Sequence, residues 1–308
     1  MHALVADPSA VGGFCLADVP PPRPGDSEAL VEVAFASVNP TDLHRAGHAP
    51  PGTVLGYDAA GTVARAAADG SGPAVGTRVT GLAMSGTWAE FAAIPTSQLA
   101  VVPDGMDTDA AATLPLAGVS ALRALRAVGP LLGRRLLITG ATGAVGGFAV
   151  QLAAVAGASE IIATARNPVA FPRLRELGAT VAVDSVTAEL GLVHGVVDNV
   201  GGPALAQAFR LTAAGGTVVS VGRASGQDTV LAADDLLGDW GRSGRTVRTF
   251  FLPEEGTELG SDISFLLGLA NQGRLHPTID HREELRGDLA TLRSGQWRGK
   301  AILRIHVR

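Results

Sequence analysis

The sequence predicts a doubly wound parallel α/β sheet set within a β-rich remainder of the chain, and three observations carry that prediction. From Leu136 to Gly157 a short apolar run is followed by a turn holding Gly140, Gly143 and Gly146, and then by apolar residues at helical spacing (Phe148, Val150, Leu152, Ala153, Val155). Between Leu136 and Leu252 six short apolar runs alternate with helical segments, as parallel strands with crossover helices require. Residues 1 to 115, in contrast, show short strands punctuated by turns.

In chain order, Ala29 to Ala36 (Leu30, Val31, Val33, Phe35), Gly61 to Ala64, Arg78 to Leu82 and Trp88 to Ile94 read as strands, with loops at Pro20 to Pro24 and Gly70 to Pro73. Ala117 to Val128 reads as a helix. The strands Leu136 to Thr139, Ile161 to Ala165, Val181 to Val183, Gly195 to Val200, Thr217 to Val221 and Thr246 to Leu252 then alternate with helices at Pro168 to Leu177, Pro203 to Thr212 and Ala233 to Trp240. Pro203 suits a first helical position, where a missing N–H costs nothing. Residues 253 to 308 switch again, to helices at Asp262 to Gln272 and Glu283 to Ser294 and a strand at Ala301 to Val307. This tail is too short for a domain and is expected to complete the first one.

The glycine turn bears chemistry. A strand-to-helix turn without β-carbons lets backbone N–H groups approach a pyrophosphate, with the positive end of the helix dipole behind them. The spacing is Gly-x-x-Gly-x-x-Gly rather than G-x-G-x-x-G, so its βαβ context carries the reading; a turn that merely packs helix on strand is the alternative.

At 308 residues, two domains are the expectation, and 46% hydrophobic with 17% charged residues excludes a disordered chain. A net charge of −5 argues against a nucleic-acid partner. The single cysteine, Cys15, excludes an internal disulfide and a Cys-rich zinc site. There is no signal-like start and no apolar run of about 18 residues, so a soluble cytoplasmic protein without a membrane partner is expected.

Asn39-Pro40-Thr41-Asp42, Leu55-Gly56-Tyr57-Asp58-Ala59-Ala60-Gly61, Gly76-Thr77-Arg78-Val79, Gly86-Thr87-Trp88-Ala89-Glu90-Phe91, Leu114-Pro115-Leu116-Ala117-Gly118-Val119-Ser120-Ala121, the glycine turn, Asp198-Asn199-Val200-Gly201-Gly202 and Gly299-Lys300-Ala301-Ile302-Leu303 follow one another as in the medium-chain dehydrogenase/reductases. The sequence resembles that family over nearly its whole length, and within it the zinc-independent quinone oxidoreductase branch that includes zeta-crystallin. The resemblance implies a GroES-like catalytic domain (1–116, completed by 253–308) split around a Rossmann NADP-binding domain (117–252), with cofactor and substrate between them. It also implies a homodimer through the last Rossmann strand, near Thr246 to Leu252.

Where zinc alcohol dehydrogenases have a Cys ligand this chain has Asn39, and where they have a His it has Tyr57, so no metal is expected. Asp42, Asp58, His44 and His48 are what an improvised metal would use; loop carboxylates ordinarily pair with arginines or cap N–H groups instead.

An NAD-preferring site places an acid at the end of the second strand. Counting about twenty residues past the first glycine lands on Glu160. Glu160 begins that strand, however, and the end facing the cofactor reads Thr164-Ala165-Arg166-Asn167, where Arg166 suits a 2′-phosphate. NADPH is the expected cofactor. Arg173 adds a second positive contact or is an exposed helical charge. The cofactor candidates are Gly140, Thr142, Gly143, Ala144, Val145 and Gly146 in the turn, Arg166 and Arg173, Asn199 at the end of the fourth strand, and Val221 and Gly222 at the end of the fifth. Ser120 joins them because it matches a family position, usually Thr, close to the nicotinamide. Phe250 and Phe251 either wall the ring or serve core or dimer packing.

Hydride transfer to a carbon β to a carbonyl, or to a quinone, develops negative charge on oxygen, and without zinc the donors must be side chains or backbone. The resemblance places Asn39, Thr41, Asp42, His44 and Tyr57 on the catalytic face. Tyr57, the only tyrosine, is the candidate proton donor, or else a wall residue. His44 stands where related quinone reductases often carry Tyr, and Asn39 and Asp42 have loop positioning as their alternative. Quinones hardly need an acid. Ser85 and Ser120 lack a nucleophile-elbow setting, so no triad is expected. Three functions stay open: an NADPH-dependent reductase of quinones or α,β-unsaturated carbonyls, a pathway-specific enoyl or ketone reductase, and a nucleotide-binding redox sensor or structural protein.

Overall fold

The computed structural model describes residues 1–238, 240–256, 258–289, 292 and 299–305. In chain order the first strands and helices are β1 (His2–Ala6), β2 (Phe14–Asp18), β3 (Glu28–Val38), α1 (Pro40–Ala46), β4 (Asp58–Arg65), β5 (Arg78–Leu82), β6 (Phe91–Pro95), β7 (Leu99–Val101), α2 (Thr108–Ala112) and α3 (Pro115–Val128). They continue with β8 (Arg135–Ile138), α4 (Ala144–Val155), β9 (Glu160–Thr164), α5 (Phe171–Glu176), β10 (Val181–Val183), β11 (Val193–Asp198), α6 (Gly202–Arg210), β12 (Thr212–Ser220), α7 (Ala233–Leu236) and β13 (Thr246–Thr249). α8 (Gly260–Asn271), β14 (Ile279–Glu284) and β15 (Lys300–Arg304) follow.

These elements fall into two units. Unit 1 takes Met1–Val119, Gly256–Gly273 and Pro277–Arg308, and unit 2 takes Ser120–Glu255 with Arg274–His276. Unit 2 is the doubly wound sheet, ordered β10-β9-β8-β11-β12-β13 with every neighbouring pair parallel. Leu136, Leu137, Ile138, Ile161 and Ile162 are buried, as strands covered on both faces must be.

Unit 1 is built on a seven-stranded sheet containing the path β14-β15-β3-β4-β5-β7, while β1 and β2 form a separate antiparallel ribbon. β3 is long enough to hold two partners in succession, β6 along Glu28–Glu32 and β15 along Phe35–Val38, while β4 runs along Leu30–Ala36. Where β4 passes β3 only glycine fits, since a Cβ on Gly61 would lie 2.0 Å from the Glu32 carbonyl oxygen. Trp88 and Phe14 fill the core in an edge-to-face contact, ring centroids 5.8 Å apart.

The expected helix at Glu283 to Ser294 is a correction. Residues 279–284 are strand β14, parallel to β15, and the chain then turns at Leu285 and Arg286. Leu285, Leu289 and Leu292 have helical spacing and are all buried; Leu292 is helical, but Leu285 lies in a turn and Leu289 has φ 58, so irregular backbone buries those two. Residues 290, 291, 293 and 294 of that segment lie outside the described residues, as does the Val307 end of the last expected strand. Likewise the helix expected at Ala233 to Trp240 is the single turn α7, and Asp239 is outside the described residues. The strand expected to reach Leu252 ends at Thr249, since Pro253 opens a single 3₁₀ turn at Leu252–Glu254.

Candidate functional site

The first group of candidates lies at the carboxyl ends of the unit 2 strands. Gly140 leaves β8 at φ 60, a left-handed conformation that favours glycine, and its N–H donates to Thr164 Oγ1 at 3.2 Å. Gly143 is the N-cap of α4 and has no side chain to occupy the first-turn amides of Ala144, Val145 and Gly146. Gly146 is where helix meets turn: a Cβ there would lie 2.5 Å from the Gly140 carbonyl oxygen. Thr142 follows Ala141 in the same turn. An uncapped helix N-terminus floored by glycine fits a diphosphate, so these residues suit the expected nucleotide.

The turn is braced by a residue the sequence reading passed over. Asp198, fully buried at the end of β11, accepts from Thr139 Oγ1 at 2.5 Å and from Gly201 N–H at 2.8 Å. Burial pushes its carboxyl above the usual range, against the pull of those donors. Its acid in the apolar run Gly195-Val196-Val197-Asp198 was the available signal. Asn199 is fastened to the same strand end, its N–H on Thr139 Oγ1 (3.0 Å) and its side chain on the Thr139 carbonyl (2.9 Å). Val221 and Gly222 both donate backbone N–H groups to the Asp198 carbonyl, at 2.7 and 3.1 Å. A cavity of about 510 Å³ opens beside them, lined by Gly201, Gly202, Leu205, Ser220, Gly222 and Arg223 and by residues 226–229.

Arg166 is exposed just beyond β9. Arg173 is also exposed and pairs with Glu176 at 3.0 Å. Ser120 is buried on α3 at 6% exposure. Phe250 is half-buried past β13 and Phe251 is exposed.

The second group lies in unit 1, where α1 and the start of β4 meet β15. Asn39 and Asp42 make the capping box of α1: Asp42 Oδ2 accepts from Asn39 N–H (2.7 Å) and from its Nδ2 (2.9 Å), and Pro40 sits in the first turn. Asn39 Nδ2 also donates to Asp58 Oδ2 at 3.2 Å, and Lys300 Nζ donates to Asn39 Oδ1 and, at 3.2 Å, to Asp58 Oδ2. Asp58 further accepts from Ser37 Oγ and from Leu116 N–H (2.9 Å). All of Asn39's amide is therefore engaged inside the protein, which leaves it no donor for a substrate oxygen. Burial and the neighbouring Asp58 raise Asp42 to about 7, opposed by Asn39 and Lys300. Asn39 and Asp42 hold a loop; they do not present donors.

Thr41 and His44 are exposed on α1. His44 stacks on His48 with ring centroids 4.3 Å apart, and His48 Nδ1 bonds the His44 carbonyl at 2.7 Å. Tyr57 is half-buried, with the Arg45 guanidinium 5.9 Å from its ring centroid. Lys300, Ser37 and the role of Asp58 escaped the sequence reading, although a lysine heading the apolar run Ala301-Ile302-Leu303 was visible there.

Comparison with known proteins finds family matches in both units. Residues 25–104 match the family model described as alcohol dehydrogenase GroES-like domain, and 144–261 the one described as zinc-binding dehydrogenase. A trans-enoyl reductase of Aspergillus terreus is 30% identical over 208 residues, covering 59% of this chain and 68% of that protein. A polyketide synthase of Streptomyces halstedii is 31% identical over 261 residues, which are 82% of this chain and 4% of the synthase. A mycobacterial structure complexed with NADPH superposes with a TM-score of 0.85 at 26% identity, covering 99% of this chain and 100% of that one. With an uncapped glycine turn on one unit, and an amide and a phenol on the other where zinc ligands would stand, the chain belongs to the medium-chain dehydrogenase/reductase family, in its zinc-independent enoyl and quinone reductase branch.

Proposed function

We propose that the protein is an NADPH-dependent reductase of α,β-unsaturated carbonyl compounds, with quinones as acceptors of the same hydride. The observation that carries the cofactor choice is the end of β9, where Arg166 stands and no acid does. The name of the Aspergillus terreus relative supports the enoyl acceptor. Bound NADPH supplies hydride to the carbon β to the carbonyl. The α4 amides and Arg166 would hold the dinucleotide's phosphates, while Tyr57 donates a hydrogen bond to the carbonyl oxygen as it gains charge and the α-carbon takes its proton from solvent. A pathway-specific enoyl reductase is the second reading, favoured by the match of 82% of this chain within a polyketide synthase.

The reading extends to a homodimer. β13 is one of the two edge strands of the unit 2 sheet, all four of its residues are exposed, and Val247 among them and the nearby Phe251 are apolar surface at 42% and 59% exposure.

The test is a fluorescence titration with NADPH followed by nicotinamide absorbance with a panel of quinones, enones and enoyl thioesters. Oxidation on simple enones supports the first reading, and turnover of thioesters alone supports the second. Binding without turnover assigns a sensing role, and failure to bind either nicotinamide nucleotide overturns all three.

A further inference from the structure

Lys300 is the only lysine in a chain with 24 lysines and arginines together. Everywhere else the side-chain cation is arginine, and at this one position it is an ammonium, 2% exposed at the start of β15, one strand in from the β14 edge of the unit 1 sheet. A planar guanidinium needs room for five donors in a fixed fork, whereas a compact ammonium turns three donors toward whatever faces it. What faces it here is Asn39 Oδ1 and Asp58 Oδ2.

That contact settles which way the Asn39 amide points. With the ammonium on Oδ1, Nδ2 must face the two carboxylates. The flipped amide would set NH₂ against the ammonium and a carbonyl against Asp42 and Asp58. From Asn39 the order passes to Asp42 and so to the first turn of α1, which carries Thr41 and His44. From Asp58 it passes to the residue before it, Tyr57, and through Leu116 N–H to the first turn of α3. One buried ammonium thus ties β15 to the start of α1 and to the strand that follows Tyr57.

We propose that Lys300 is a positioning residue for the reduction: it touches no substrate, and its ammonium fixes Asn39 and Asp58 so that the phenol of Tyr57 is held in place relative to α1. This rests on the reductase reading given above. Replacing it by an apolar residue leaves Asp58 buried and uncompensated beside Asp42, which removing the Asp58 charge as well relieves.

The experiment compares Lys300→Met, Lys300→Arg and the double variant Lys300→Met/Asp58→Asn with wild type, at a temperature where all are folded by near-UV circular dichroism. Expected are a kcat on the best enone at least tenfold lower in Lys300→Met, with KM for NADPH within twofold. Lys300→Arg should not rescue it, and the double variant should regain part of the loss. The proposal is overturned by a kcat within twofold of wild type in folded Lys300→Met, or by full rescue with arginine. If wild type turns over no acceptor, the reductase reading fails by itself, and hydrogen exchange then judges the positioning. Faster exchange in Lys300→Met confined to residues 39–46 and 57–60 supports it, and a uniform rise through the unit 1 sheet overturns it.

Discussion

Arg135 and Glu160 face each other across the first register pair of β8 and β9, their side chains joined in an ion pair at the amino-terminal ends of those strands. The glycine turn leaves β8 at the opposite end, where Thr164 receives the Gly140 N–H. The acid that a count from the first glycine selects is thus removed from any nucleotide on that turn. Arg166→Ala should raise the Kd for NADPH about tenfold to hundredfold, the loss of a charge-assisted hydrogen bond of about 1.5–3 kcal/mol, with NADH within twofold. Glu160→Gln should leave the ratio of the two affinities unchanged, and fluorescence titration reads both.

Gly146→Ala tests whether the close approach of α4 to its turn matters for binding. The added methyl would sit 2.5 Å from the Gly140 carbonyl oxygen, and backbone must shift to admit it. Overpacking of this kind costs about 1–3 kcal/mol of stability. NADPH affinity should fall at least tenfold in protein that calorimetry still shows to be folded.

Asp42 gives the protein a pH dependence of definite sign. Its carboxyl is raised by burial, and by Asp58, from 3.8 to about 7. Between those values the folded state keeps a proton that the unfolded chain releases, so stability from this group is present at low pH and falls as pH rises through the window, by up to about 4 kcal/mol. Asp42→Asn should flatten urea-melt stability between pH 5 and 8, while keeping the acceptor that caps α1.

Tyr57→Phe separates the two classes of acceptor. Loss of a positioned donor to the developing oxyanion should lower kcat on enones by about a hundredfold, and no more, since Tyr57 is half-buried and water can reach its place. Quinones, whose reduced anion is a tolerable product, should change by less than threefold. An equal fall on both would remove Tyr57 from stabilising the developing charge.

The dimer proposal predicts that Val247→Glu, on the exposed edge of β13, shifts the sedimentation coefficient from dimer to monomer with NADPH binding retained. A monomeric wild type would end it.

The six parallel strands and the glycine turn were legible because both depend on local patterns: buried runs such as Leu136-Leu137-Ile138, and glycines whose Cβ would strike neighbouring backbone. The unit 1 network was not, because its members lie far apart in sequence. Asn39 and Lys300 are separated by 261 positions, and only the pairing of β15 with β3 brings them together. Asn39 and Asp42 were found by motif but read first for their chemistry, whereas three-residue spacing before a helix signals a cap. The misread helix at 283–294 shows the limit of periodicity, since Leu285 and Leu289 share the spacing of the helical Leu292 while lying in a turn and in irregular backbone.

The placement of β15 between β14 and β3 sets a timetable for the newborn chain. β3 is complete at Val38, but its partner along Phe35–Val38 begins only at Lys300. At about 5–20 residues per second on the ribosome, that edge waits roughly 13–50 s for its neighbour, while the whole of unit 2 is made and free to fold. A growing chain therefore carries an open, apolar strand edge while residues 39–299 are made, and that stretch of time is when chaperones have the most to protect.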